Sequence, residues 1–182
     1  HLPEFGTLLD NDSTNHHSIR SAGRRGSSWG TSKGSACCCP AGAIRAAWHC
    51  GLDQFGESYL QEALAKMDQL GDLPLTWHFI GHLQSNKTRA VAENFDWVHS
   101  IDRLRIAQRL SEQRPVDKPP LQVCLQINIS NEHSKSGIAL GDLHQLAAAV
   151  SQLPRLQLRG LMALPHASDD ISQQRLAFRQ MH

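Results

Sequence analysis

His82 stands directly after the run Trp77-His78-Phe79-Ile80-Gly81, where an apolar, strand-forming stretch gives way to a polar turn. An imidazole there can meet a phosphate or a phenolate. A loop histidine held by ordinary hydrogen bonds is the plain alternative. Asn128 ends the clearest strand pattern in the chain, in which Leu121, Val123, Leu125 and Ile127 alternate with Gln122, Cys124, Gln126 and Asn128. Its amide therefore lies on the polar face of that strand, within reach of a pocket. Lys135, in Ser134-Lys135-Ser136-Gly137, follows the same strand and can attract an anion. Met162, in Gly160-Leu161-Met162, is a soft apolar side chain that fills a core as readily as it contacts a flat ring. A metal is the other chemistry the residue types allow, since Cys37, Cys38, Cys39, Cys50, His16, His17 and His49 could supply ligands. However, no Cys-x-x-Cys pair exists and the spacing fits no zinc module, so no metal is expected.

These residues need a frame, and from Pro40 onward the apolar spacing supplies one. Ala43, Ile44, Ala47 and Trp48 share a helical face, and Gly51 sits where a helix C-cap belongs. Gln54 to Ser58 reads as a short strand, and Tyr59 to Leu70 as a helix with Leu60, Ala63, Leu64 and Met67 at helical spacing. Leu75 to Ser100 then forms one strand–turn–helix–strand unit. Its strands are Trp77 to Ile80 and Trp97 to Ser100, its turn is Gln84 to Lys87, and its helix carries Val91, Ala92 and Phe95. A helix over Arg103 to Gln113, the strand Leu121 to Asn128, a helix over Leu140 to Leu153 and a strand over Leu156 to Leu164 follow. Ser168-Asp169-Asp170 could cap a last helix from Ile171. Alternating strands and helices joined by short polar loops predict a parallel α/β fold, as an open doubly wound sheet or as a barrel. No G-x-G-x-x-G follows any strand, which weakens the dinucleotide-binding version. Residues 1–36 sustain neither the strand nor the helix period and read as mostly irregular.

A formal charge of +1 over 182 residues leaves no basic excess for phosphate neutralisation, so nucleic acid is not an expected partner. No apolar run approaches the roughly 20 residues that a bilayer span needs. The N-terminus also lacks the basic, apolar, small-residue order of a signal peptide, and a soluble protein is expected. Three of the five cysteines are consecutive, at Cys37-Cys38-Cys39, and resemble no disulfide framework. A reduced, cytoplasmic setting is the expectation.

The stretch WHFIGHLQSNK is similar to the signature of the pyridoxal-phosphate homeostasis protein family. QFGESYLQEA, HSIDRLRIAQRL, LQVCLQINISNEHSKSGI and LPRLQLRGLMALP each resemble a family segment in the same order, so the resemblance covers about Pro40 to His182. It implies an incomplete (β/α)8 TIM-type barrel of the alanine racemase N-terminal type, with residues 1–36 as an irregular or aberrant segment and 37–182 as a partial barrel domain. It also implies that pyridoxal 5′-phosphate is held at the C-terminal mouth of the barrel, where the loops after the strands gather functional groups. In the family, a lysine on the first strand carries the cofactor as a Schiff base. The implied function is intracellular pyridoxal-phosphate homeostasis by a monomeric carrier or buffer with no turnover reaction. Carried onto this chain, the candidate cofactor-binding residues are Lys33, Ser58, His82, Asn128 and Met162, with Ser58 standing where the family has Asn.

The chain departs from the family pattern in two places. Aligned without gaps back from Pro40, the Schiff-base lysine position reads Cys37 and the neighbouring family lysine reads Cys39. A thiol cannot form the imine, and Lys33 stands several residues upstream of the required place. A complete barrel of this type takes about 250 residues and builds its phosphate site after strands 7 and 8, beyond the segments matched here. The loss of periodicity before Pro40 and the cysteine run together fit a reading-frame change upstream of Pro40. Two other readings therefore stand beside the carrier: a nonfunctional fragment, and an alanine-racemase-like enzyme. The enzyme needs a second acid/base, normally a tyrosine from another domain, and Tyr59 is the one tyrosine of the chain.

Overall fold

The computed structural model describes residues 39–128 and 137–163, together with the backbone of Gly6–Asn11 and His17–Ser21. In chain order the strands are β1 (Gly6–Asn11), β2 (His17–Ser21), β3 (Gln54–Glu57), β4 (Thr76–Phe79), β5 (Trp97–Ile101), β6 (Leu121–Ile127) and β7 (Leu156–Ala163). The helices are α1 (Ala41–His49), α2 (Leu60–Gln69), α3 (Thr88–Asn94), α4 (Leu104–Gln113) and α5 (Leu143–Ser151). From α1 onward helices and strands alternate through β7, as the apolar spacing predicts.

Local chemistry sets these boundaries. Gly51, at φ +90°, takes the left-handed conformation after α1, and its N–H donates to the Trp48 carbonyl at 2.8 Å. Ile106, Ala107 and Leu110 of α4 fall on one face and are buried, while Arg105 and Gln108 on the other are exposed. Arg114 seals the end of α3. Its guanidinium is buried and donates to the carbonyls of Ala92 at 2.8 Å, Phe95 at 2.7 Å and Pro119 at 2.9 Å. The Ala92 and Phe95 carbonyls, at the end of α3, would otherwise have no partner within the helix.

The sheet order is β2-β1-β7-β6-β5-β4-β3, parallel throughout from β1 to β3, with β2 antiparallel to β1. Parallel pairing brings the C-terminal ends of β3 to β7 to one end of the sheet. Phe55, Phe79, Val98, Ile101, Val123 and Leu125 form one layer with buried residues of all five helices, including Ile44, Ala63, Val91, Leu110 and Leu146. The opposite face is the inner wall of the barrel, where Ile80, Cys124 and Met162 pack with Trp97. Both faces are buried, as a parallel sheet requires.

Two strands are not regular. Between β5 and β6, Val98 pairs with Val123 and Ile101 with Leu125, so three steps on β5 match two on β6. Between β6 and β7, Val123 pairs with Leu158 and Cys124 with Gly160. Val98, Ile101, Leu158 and Leu161 all pack on the helix side. The extra residue in each bulge therefore turns His99 and Ser100, and likewise Arg159 and Gly160, toward the inner wall on either side of Cys124.

The irregular character expected of residues 1–36 does not hold at Gly6–Asn11 and His17–Ser21, which are strands. Their order comes from a partner rather than from a local pattern. Gly6, Thr7 and Leu8 pair with Leu161, Met162 and Ala163 of β7, and β2 then pairs with β1. The helix expected from Ile171 lies outside the described residues.

Candidate functional site at the strand ends

The mouth is assembled from the residues that follow each parallel strand. Glu57, the last residue of β3, is wholly buried on the helix side, with Lys66 Nζ of α2 at 2.7 Å from Oε1. Burial pushes its carboxyl above the ordinary range despite that partner. Ser58 comes next and is half-buried. Its carbonyl lies against Gly81, where an added Cβ would stand 2.1 Å from the Ser58 oxygen. Only glycine allows the two rims to meet so closely. The Ile80 N–H also donates to the Glu57 carbonyl at 2.9 Å, so the ends of β3 and β4 are fixed relative to each other.

Gly81 places His82 on the outer rim, exposed to solvent. Asn128 follows β6 and is half-buried. Its N–H donates to the Ile138 carbonyl at 3.0 Å, while the Ile138 N–H donates to Gln126 at 2.8 Å, so the chain leaving β6 returns to the same strand end. Met162 is fully buried in the inner-wall cluster with Ile80 and Cys124, one step below the mouth. Ser58, His82 and Asn128 thus stand at strand ends on one rim, with Met162 beneath them.

Lys33, Cys37 and Lys135 lie outside the described residues. Cys39 is a half-buried free thiol packed against the helix-side core. The lysines that are described face elsewhere than the inner wall. Lys66 meets Glu57, Lys87 is exposed in the 3-10 turn Ser85–Lys87, and Lys118 donates to the Glu93 carbonyl at 2.5 Å. Among the described residues, no three His, Cys, Asp or Glu side chains are grouped to hold a metal. No described helix is long and apolar enough to cross a membrane.

The inner wall also holds polar groups that the spacing of single segments did not single out. His78 Nδ1 and His99 Nε2 lie 2.9 Å apart on neighbouring strands. Trp97 stacks on both rings, with centroids 5.4 Å and 5.7 Å away. Burial pushes the His78 imidazole down to about 3, with the neighbouring His99 as a lesser cause, and burial pushes His99 down to about 4. Both rings are therefore neutral at physiological pH. Arg159 Nε donates to Gln122 Oε1 on the same wall. One signal was available in the sequence. In WHFI, His78 sits between Trp77 and Phe79, which alternation sends to the helices, so it faces the inner wall.

Comparison with known proteins agrees with this architecture. The family described as "Alanine racemase, N-terminal domain" matches residues 9–182. The chain belongs to the alanine racemase N-terminal domain family. The family match begins well upstream of Pro40, where the recognisable phrases start, and so takes in most of the segment carrying β1 and β2. Within the family, the pyridoxal phosphate homeostasis protein of Pseudomonas aeruginosa is 62% identical over 142 residues, covering 78% of this chain and 62% of its own length. That of Escherichia coli K12 is 58% identical over 145 residues, with the same 78% and 62% covered. The chain therefore spans less than two thirds of the length of these relatives. The solved structure of PipY from Synechococcus elongatus with PLP bound is 38% identical at a TM-score of 0.75, over 81% of this chain and 69% of that one. The family resemblance and the incomplete barrel expected from the sequence both hold.

Proposed function

We propose that this family member holds pyridoxal 5′-phosphate at the barrel mouth as an intracellular carrier or buffer, and turns no substrate over. The likeness to PipY, which was solved with PLP bound, carries the reading because it covers 81% of this chain. The homeostasis names of the P. aeruginosa and E. coli relatives point the same way. The cofactor would bring an aldehyde that reacts reversibly with an amine.

The residues present fit such a ligand in part. Ser58 and Asn128 offer a hydroxyl and an amide from half-buried positions at two strand ends. His82 meets a phosphate or phenolate from the exposed rim, and Ile80, Cys124 and Met162 form an apolar floor for a flat ring. None of the three described lysines is placed as a covalent anchor, which leaves Lys33 and Lys135, and of these Lys33 is the one the family resemblance offers. The protein acts in the cytoplasm as a monomer, with no nucleic acid or membrane as partner.

Borohydride reduction of the chain mixed with pyridoxal 5′-phosphate, followed by peptide mass spectrometry, tests this. One adduct per chain at Lys33, abolished in Lys33→Ala, is the expected result. Adducts scattered over Lys66, Lys87 and Lys118 in proportion to exposure would overturn the reading and favour the nonfunctional fragment. Interconversion of L- and D-alanine by the loaded protein would favour the racemase-like enzyme.

A further inference from the structure

The His78–His99 pair belongs to neither the helix-side core nor the outer rim. The residues on either side of His78, Trp77 and Phe79, pack on the helices, so the imidazole points to the inner wall. The bulge in β5 turns His99 and Ser100 to the same wall. His99 lies two residues nearer the mouth than Trp97, the register partner of His78, so the pair steps along the wall toward the mouth. His78 is 4% exposed and His99 1%.

Three polar atoms in this cluster have no hydrogen-bond partner among the described residues: His78 Nε2, His99 Nδ1 and Ser100 Oγ. A buried polar group left unsatisfied destabilises the fold, so such groups ordinarily have a partner. The chemistry of that partner follows from the rings. A neutral imidazole has one N–H and one lone pair, and the contact between the rings uses one of each. If His78 Nδ1 donates, both rings are Nδ1–H tautomers; if His99 Nε2 donates, both are Nε2–H. The two rings must therefore share a tautomer, and of the two open nitrogens one donates while the other accepts. A fixed anion finds no positive charge here, and an ammonium finds no negative one. A hydroxyl, donor and acceptor at once, suits either state.

We propose that His78, His99 and Ser100 build a binding site for a neutral hydroxyl group on the inner wall, the two rings changing tautomer together to suit the hydroxyl they meet. A proton taken up at one open nitrogen is matched by one released from the other, and the charge of the pair is unchanged. The site stands whether or not the cofactor reading of the mouth is right. Its occupant is either an ordered water or the hydroxyl of a small molecule entering from the mouth.

The test is nitrogen-15 NMR of the full chain labelled at histidine, at neutral pH, first alone and then with glycerol as a neutral hydroxyl probe. The expected spectrum shows both rings neutral, both in one tautomer, with the open N–H in contact with a water resonance. Loss of that contact on adding the probe, with the ring nitrogens shifting together, would name the probe's hydroxyl as occupant. Its persistence would name water. Ser100→Ala, which leaves the core side chains untouched, should speed exchange of the open N–H with bulk water roughly tenfold, the worth of one ordinary hydrogen bond. A charged ring, opposite tautomers, or an open N–H that contacts neither water nor probe would overturn the proposal. So would an exchange rate unmoved by Ser100→Ala.

Discussion

At the scale of single residues, the mouth depends on the absence of a side chain at Gly81. A methyl group there would need the space that the Ser58 carbonyl occupies. Because the obstacle is backbone, no rotamer change relieves it. Gly81→Ala is expected to cost about 2 kcal/mol in urea unfolding and to weaken ligand binding at the mouth beyond what the stability loss explains. Arg114 works by the opposite means, filling a buried space with donors. Arg114→Met keeps most of the volume but strands the carbonyls of Ala92, Phe95 and Pro119. A loss of about 3 kcal/mol in the same measurement is expected, with the Ala92–Phe95 turn the first to exchange its amide hydrogens. Ser58, His82 and Asn128 were legible as single residues because each follows a recognisable strand. His78, His99 and Ser100 were not. Their significance needs two strands to be neighbours, and nothing in either segment alone states that.

Among the elements, α2 is fastened to β3 by the Glu57–Lys66 pair, which lies between sheet and helix where water is scarce. Lys66→Met should cost about 3–5 kcal/mol, since it leaves the Glu57 carboxylate buried and unpaired. The double variant Glu57→Leu/Lys66→Met should recover most of that loss, and denaturation of the two side by side checks the difference. The elements from Pro40 to Ala163 were readable because alternation, helical spacing and glycine punctuation agree there, as in Ile44 and Ala47 before Gly51. The bulges were not readable, because β5 and β7 show their extra residue only against β6. β1 and β2 escaped for a related reason: Gly6–Asn11, GTLLDN, shows no alternation, and its partner, β7, lies far along the chain.

For the whole molecule, two imidazoles kept neutral in the interior make folding sensitive to acid. Unfolded, each binds a proton near 6.5; folded, His78 does so at about 3 and His99 at about 4. Between those values the unfolded chain binds more protons, so stability is fully present above about 6.5 and declines as pH falls. Each ring contributes a slope of up to about 1.4 kcal/mol per pH unit. Glu57 acts in the other direction: its carboxyl titrates above the ordinary value, so its contribution is lost as pH rises through the folded value. Two rings outweigh one carboxyl, and urea midpoints should fall steadily between pH 6.5 and pH 5. His99→Gln should flatten that fall; an unchanged slope would show that the pair is not held neutral. The return of the chain to the end of β6 has a use of another kind. Ile138 is clasped between Gln126 and Asn128, so the chain comes back to almost the point it left, and Gly137, at φ +131°, makes the final bend. The end of β6 thus works as a clasp that fixes Asn128 beside the mouth from the side of the returning chain.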